Sequence, residues 1–102
     1  MKDTPSFFFS EELSEGNVAQ FKAFCTNNRS AKEIAIYINA QSGGKIGFYK
    51  EIESCILELQ KSGTKVSTIG KLFVSSFLKI FLLGDERIIV LESVGIIHLP
   101  VF

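Results

Sequence analysis

The chain has 102 residues, enough for one hydrophobic core and too few for two, so residues 1–102 are expected to form a single domain. Hydrophobic residues at 46 % and charged residues at 22 % exclude a disordered or fibrous chain. Eleven basic residues against eleven acidic ones leave no net field to attract a polyanion, so neither nucleic acid nor an anionic membrane is expected as a partner.

From the start, Met1 to Pro5 is followed by only three apolar residues, Phe7 to Phe9, too short for the core of a signal peptide. Those phenylalanines read as a short strand. After the polar stretch Ser10 to Asn17, the residues Val18, Phe21, Phe24 and Cys25 recur at helical spacing. Asn27 to Ser30 breaks the pattern. Ile34 to Ile38 is then a nearly continuous β-branched and aromatic run, which predicts a central parallel strand buried on both faces. Gln41 to Gly44 is a turn, and Tyr49, Ile52, Ile56 and Leu59 form the apolar stripe of a helix running to about Ser62. Gly63 stops that helix, Val66 to Ile69 predicts a strand, and Gly70 predicts a turn. Phe73, Phe77, Ile80 and Phe81 predict a third helix ending at Gly84. The apolar stretch containing it, Leu72 to Leu83, is read as a buried helix, well short of the roughly 20 residues that span a bilayer. Ile88 to Leu91 is another strand, and a last apolar segment, Gly95 to Ile97, leads into His98, Leu99 and Pro100.

Strands alternating with helices predict right-handed βαβ crossovers, a mostly parallel sheet, and a site at the carboxyl ends of the strands. The turns of interest are therefore Asn39 to Gly44 and Gly70 to Ser75. In the first, backbone amides at a helix start can face an anion, although a plain glycine turn accounts for the same pattern, and no Lys-Ser/Thr pair follows to make a P-loop. In the second, Ser75 stands where a nucleophile or a helix cap would stand, with Ser76 competing for either role. His98, the only histidine, can act as a general base or pack half-buried against backbone. Cys25 and Cys55 are too few for a disulfide framework or a four-ligand metal site, so a reduced cytoplasmic setting without a metal is expected. Ten phenylalanines without a tryptophan read as core or interface. The runs Lys50-Glu51 and Glu58 to Lys61 read as a solvated helix face.

Taken in order, these segments resemble the proteolytic subunit of the Clp protease, within the Clp and crotonase-like fold group. Ile36-Tyr37-Ile38-Asn39 followed by Gly43-Gly44 is similar to the family's Ile-Asn-Ser-Pro-Gly-Gly turn. Val66 to Gly70 followed by Ser75 is similar to its strand, Gly-x-Ala-Ala-Ser turn and helix. Arg87 to Leu91, Ser93 and Ile96-Ile97-His98-Leu99-Pro100 are similar to its Arg-strand, Asn-Ser and Ile-His-Gln-Pro stretch. The resemblance implies Ser75 as nucleophile, His98 as general base, and the amides of Gly44 and Ser76 as the oxyanion hole. It also implies a polypeptide substrate, a homo-oligomer, an ATP-driven unfoldase as partner, and no cofactor.

The likeness spans roughly Phe7 to Pro100, the first half or so of a family member. The family's triad aspartate and its long ring-stacking helix lie beyond the matched part. The glycine turn has one extra residue and no proline, Ser75 follows Gly70 by five residues where the family has four, and Phe73 and Val74 replace two alanines. Asp85 and Glu92 are the nearest candidates for a substitute acid, and spacing recommends neither. The expectation is an α/β domain of repeated β-α-β units acting as a Clp-type serine peptidase. The alternative is a catalytically inactive structural or interaction subunit, and a third, weaker option is an acyl-thioester binder that uses the same amides without a nucleophile.

Overall fold

The computed structural model describes residues 4–39, 44–72, 76–91 and 95–99. In chain order the elements are β1 (Ser6–Phe9), α1 (Glu15–Asn27), β2 (Glu33–Asn39), α2 (Ile46–Lys61), β3 (Lys65–Leu72), α3 (Ser76–Leu82), β4 (Glu86–Leu91) and β5 (Gly95–Leu99). Local chemistry sets the boundaries. Ser14 caps α1 by accepting from the Asn17 N–H at 3.3 Å, and the Asn17 side chain accepts from the Ser14 N–H at 2.8 Å, a reciprocal capping box. At the end of α2, Gly63 sits at φ 97°. There its N–H donates to the Gln60 carbonyl and that of Thr64 to the Leu59 carbonyl, closing a Schellman motif.

The sheet order is β1-β2-β3-β4-β5, with the first four strands parallel and β5 returning antiparallel to β4. Each crossover steps one strand over in the same direction, so right-handed connections lay all three helices on one face. Burial agrees with this. On the helix-facing side, Ile34, Ile36, Ile38 and Val66 meet Phe21 of α1, Ile52 and Ile56 of α2, and Phe77 and Ile80 of α3 in one core. Phe7, Phe9, Phe21 and Phe24 pack ring against ring beneath α1.

Three details differ from the sequence expectation. β2 is not buried along both faces: on the side that carries no helix among the described residues, Ala35 is enclosed but Tyr37 is 36 % exposed and stacks at 4.7 Å on Phe8, itself 66 % exposed. Alternating burial was hidden because both faces of β2 carry apolar residues. Gly70 is not a turn. β3 runs through it to Leu72, with a shift of register on β2 between Ile38, paired with Gly70, and Asn39, paired with Leu72, so the glycine marks an irregularity within the strand. Finally, α3 is half-buried rather than buried: Phe77, Ile80 and Phe81 are enclosed while Leu78 and Leu82 are exposed. Among the described residues no helix is long and apolar enough to cross a membrane.

Candidate functional site

The parallel strands deliver their carboxyl ends to one edge of the sheet, where the β2–α2 and β3–α3 connections lie. Gly44 belongs to the first. Its φ of +84° disfavours any side chain, and a Cβ there would lie 2.6 Å from the Leu13 carbonyl oxygen. Glycine is thus required because the β2–α2 connection presses on the residue before the Ser14 cap, whatever chemistry its amide performs. The helix that follows has Lys45 at its N-cap with no side-chain cap bond and no acidic residue in its first turn. The positive end of α2 is therefore not neutralised from within its own sequence.

Ser75 lies outside the described residues, between the end of β3 and the start of α3. Ser76 is the first residue of α3. His98 is in β5, in register with Ile88 of β4, which in turn pairs with Ile69 of β3. The row Ile69–Ile88–His98 lies three residues before the end of β3 at Leu72, about 10 Å along the strand at roughly 3.3 Å per residue. Gly44 and Ser76 thus come from two consecutive crossover units of the sheet, and His98 from the antiparallel strand that follows them.

Of the two carboxylates considered as substitutes for a triad acid, Glu92 lies outside the described residues. Asp85 has other work: its carboxylate accepts the Val66 N–H at 2.8 Å and the Gln60 amide at 3.3 Å, at the opposite edge of the sheet. Sequence reasoning also missed a buried polar contact. The Thr68 hydroxyl, fully enclosed, donates to the Phe81 carbonyl at 2.7 Å and ties β3 to the end of α3. A threonine in an apolar strand gives little hint of such a bond. Near the start of α2, Tyr49 donates its hydroxyl to Glu53 at 3.1 Å; burial, and then this carboxylate, raise its pKa. Lys79 of α3 stands 5.5 Å over the Tyr49 ring.

Elsewhere, an open groove of about 550 Å³ lies between the C-terminal halves of α1 and α2. Among the described residues no group of three or more His, Cys, Asp or Glu side chains is placed to hold a metal ion.

No protein-family model matches the sequence, and no curated protein matches it. Solved structures do. ClpP1 from Listeria monocytogenes superposes with a TM-score of 0.67 at 18 % identity, covering 78 % of this chain and 46 % of that one. The N165D mutant of the same protein gives 0.68 at 18 % identity, covering 85 % and 56 %. The chain therefore spans about half the length of these structures. At this identity the likeness speaks for architecture alone: the chain has a ClpP-like α/β fold built on a parallel sheet of four strands.

Proposed function

We propose that the chain is a Clp-protease-like domain whose chemistry is serine-type acyl transfer on polypeptide substrates. The observation that carries this reading is the ClpP-like fold, matched over most of the chain, in which Gly44 and Ser76 stand at the starts of α2 and α3, on the carboxyl edge of the sheet. In the proposed reaction His98 takes the proton of Ser75 as its oxygen attacks a peptide carbonyl. The amides of Gly44 and Ser76 hold the oxyanion, and His98 returns the proton to the departing amine. Water then releases the acyl group by the same steps in reverse roles. The uncapped positive end of α2 supports the oxyanion assignment.

A second reading is favoured by two observations. Asp85 is committed to Val66 and Gln60, and Phe8 and Tyr37 present an exposed aromatic pair on the uncovered face of the sheet. Parallel sheets are normally covered on both faces, so this surface suits a non-catalytic subunit that works by association. In either reading the assembly is a homo-oligomer, and an ATP-driven unfoldase is the proposed partner of the catalytic one. In serine-protease triads loss of the acid lowers turnover about 10⁴-fold, so slow turnover is expected if no third group assists His98.

A fluorophosphonate probe separates the two. Labelling of the chain that Ser75→Ala abolishes and His98→Ala strongly slows supports the peptidase. A folded chain that takes no label at neutral pH supports the non-catalytic subunit.

A further inference from the structure

The groove between α1 and α2 is lined by both cysteines of the chain. Cys25 lies on the buried stripe of α1 with Val18 and Phe21, 6 % exposed, and Cys55 sits half-buried on α2 beside Ile52, Ile56 and Leu59. Both thiols line this one groove at the seam between the two helices. Lys22 and Glu51, themselves ion-paired across the same seam, hold the two helices together beside them. The groove is at the amino edge of the sheet, away from Gly44 and α3, so this site is independent of the acyl-transfer reading.

We propose that Cys25 and Cys55 are a dithiol pair that hydrogen peroxide entering the groove converts into a disulfide joining α1 to α2. Cys55 reacts first, being the more accessible of the two. Its thiolate attacks one peroxide oxygen, the O–O bond breaks, and hydroxide leaves to become water, giving a sulfenic acid. The Cys25 sulfur then gives up its proton and attacks the Cys55 sulfur. The S–O bond breaks, and the departing hydroxide leaves as a second water. Two thiols are oxidised by two electrons and one hydrogen peroxide is reduced by two.

Burial holds both thiols above their ordinary range, Cys25 at about 12, so the reactive thiolate is scarce at neutral pH. The pair therefore answers to sustained peroxide rather than to a brief pulse, and the rate rises with pH. A bridge from residue 25 to residue 55 closes a long loop of the unfolded chain and is expected to raise the melting midpoint by on the order of 10 °C.

The test uses the full chain, fully reduced and treated with hydrogen peroxide at pH 7 and pH 9. Peptide mapping without reductant is expected to give a linked peptide containing Cys25 and Cys55, forming faster at pH 9. The raised melting midpoint should revert with dithiothreitol. In Cys25→Ser, and in Cys25→Ala should the serine unfold the chain, dimedone is expected to trap the sulfenic acid on Cys55. The proposal is overturned if both cysteines of the folded wild-type chain remain alkylatable after peroxide, if the only disulfides join separate chains, or if dimedone labels Cys25 before Cys55.

Discussion

Asp85 and Val66 exchange two hydrogen bonds: the Asp85 carboxylate accepts the Val66 N–H at 2.8 Å, and the Asp85 N–H donates to the Val66 carbonyl at 2.7 Å. A side chain here extends the β3–β4 ladder one step beyond the strand itself, since the first β3–β4 register pair is Ser67 with Glu86.

Asp85→Ala leaves the fully buried Val66 without this acceptor and should lower stability by about 1–2 kcal/mol. That corresponds to a fall in melting midpoint of roughly 4–8 °C for each kcal/mol. Asp85→Asn keeps an acceptor oxygen and should cost less. If fluorophosphonate labelling is found, both variants should label as the wild type does at temperatures where they are folded. Selective loss of labelling in folded Asp85→Asn would instead give this carboxylate a chemical role.

Gly84 and Thr68 should behave as one unit. A Cβ at Gly84 would lie 2.3 Å from the Thr68 hydroxyl oxygen and 2.9 Å from its methyl carbon. Gly84→Ala therefore displaces the side chain that bonds the Phe81 carbonyl, with an expected cost of about 2 kcal/mol or more. In a double-mutant cycle measured by urea unfolding, Thr68→Ala should make room for the alanine. A coupling of about 1 kcal/mol between the two substitutions is expected, and strict additivity would refute the contact.

Gly44→Ala should destabilise the chain by about 1–3 kcal/mol, because it meets both a disfavoured φ and the Leu13 carbonyl. The consequence for functional tests is specific. Loss of activity in this variant reports on the oxyanion amide only if circular dichroism shows the variant folded under assay conditions.

The chain should become less stable as pH rises through alkaline values. Burial raises the folded pKa of Cys25 from its ordinary value near 9.0 to about 12. Between these values the unfolded state has lost the proton that the folded state keeps, so stability is full below about pH 9 and declines towards pH 12. Cys25→Ala should flatten this part of the stability–pH curve, although its cavity lowers the curve as a whole. At neutral pH iodoacetamide should modify Cys55 before Cys25.

On the uncovered face, Phe8, Tyr37, Ile69 and Ile88 are register partners across four strands, from the exposed Phe8–Tyr37 stack to the half-buried isoleucines. Phe8→Ser should cost little stability, about 0.5–1 kcal/mol for a cross-strand aromatic pair, yet weaken self-association measurably by sedimentation. A wild-type chain that stays monomeric at all concentrations would remove the support this face gives to an oligomer.

The elements were legible where period and punctuation agreed. Tyr49, Ile52, Ile56 and Leu59 mark the buried stripe of α2, and all four are buried. The parallel sheet followed from alternation of strands and helices, and the ClpP-like fold from the resemblance carried by the segments around Gly44, Gly70 and the final strand. What stayed hidden depends on contacts distant in sequence. Nothing near Gly70 reveals that β2 will pair past it to Leu72, and Tyr37 looks like core because only three dimensions show that the helices gather on the other side. Gly44 was chosen for its amide. That Leu13 also excludes a side chain there could not be read from either local segment. Ser75 lies outside the described residues, so its assignment still rests on the motif and on the fold that surrounds it.

The strand order of the sheet is the order of the strands in the chain, and each strand pairs only with its sequence neighbours. No described strand must wait for a distant segment to arrive, so no loop closed during folding between them is longer than one helix and its turns. The molecule can therefore assemble as a ladder, one strand–helix rung docking on the last. Its weakest rungs are the two ends, where β1 and β5 each have a single partner strand among the described residues, and fraying or proteolysis should begin there while β2, β3 and α2 persist.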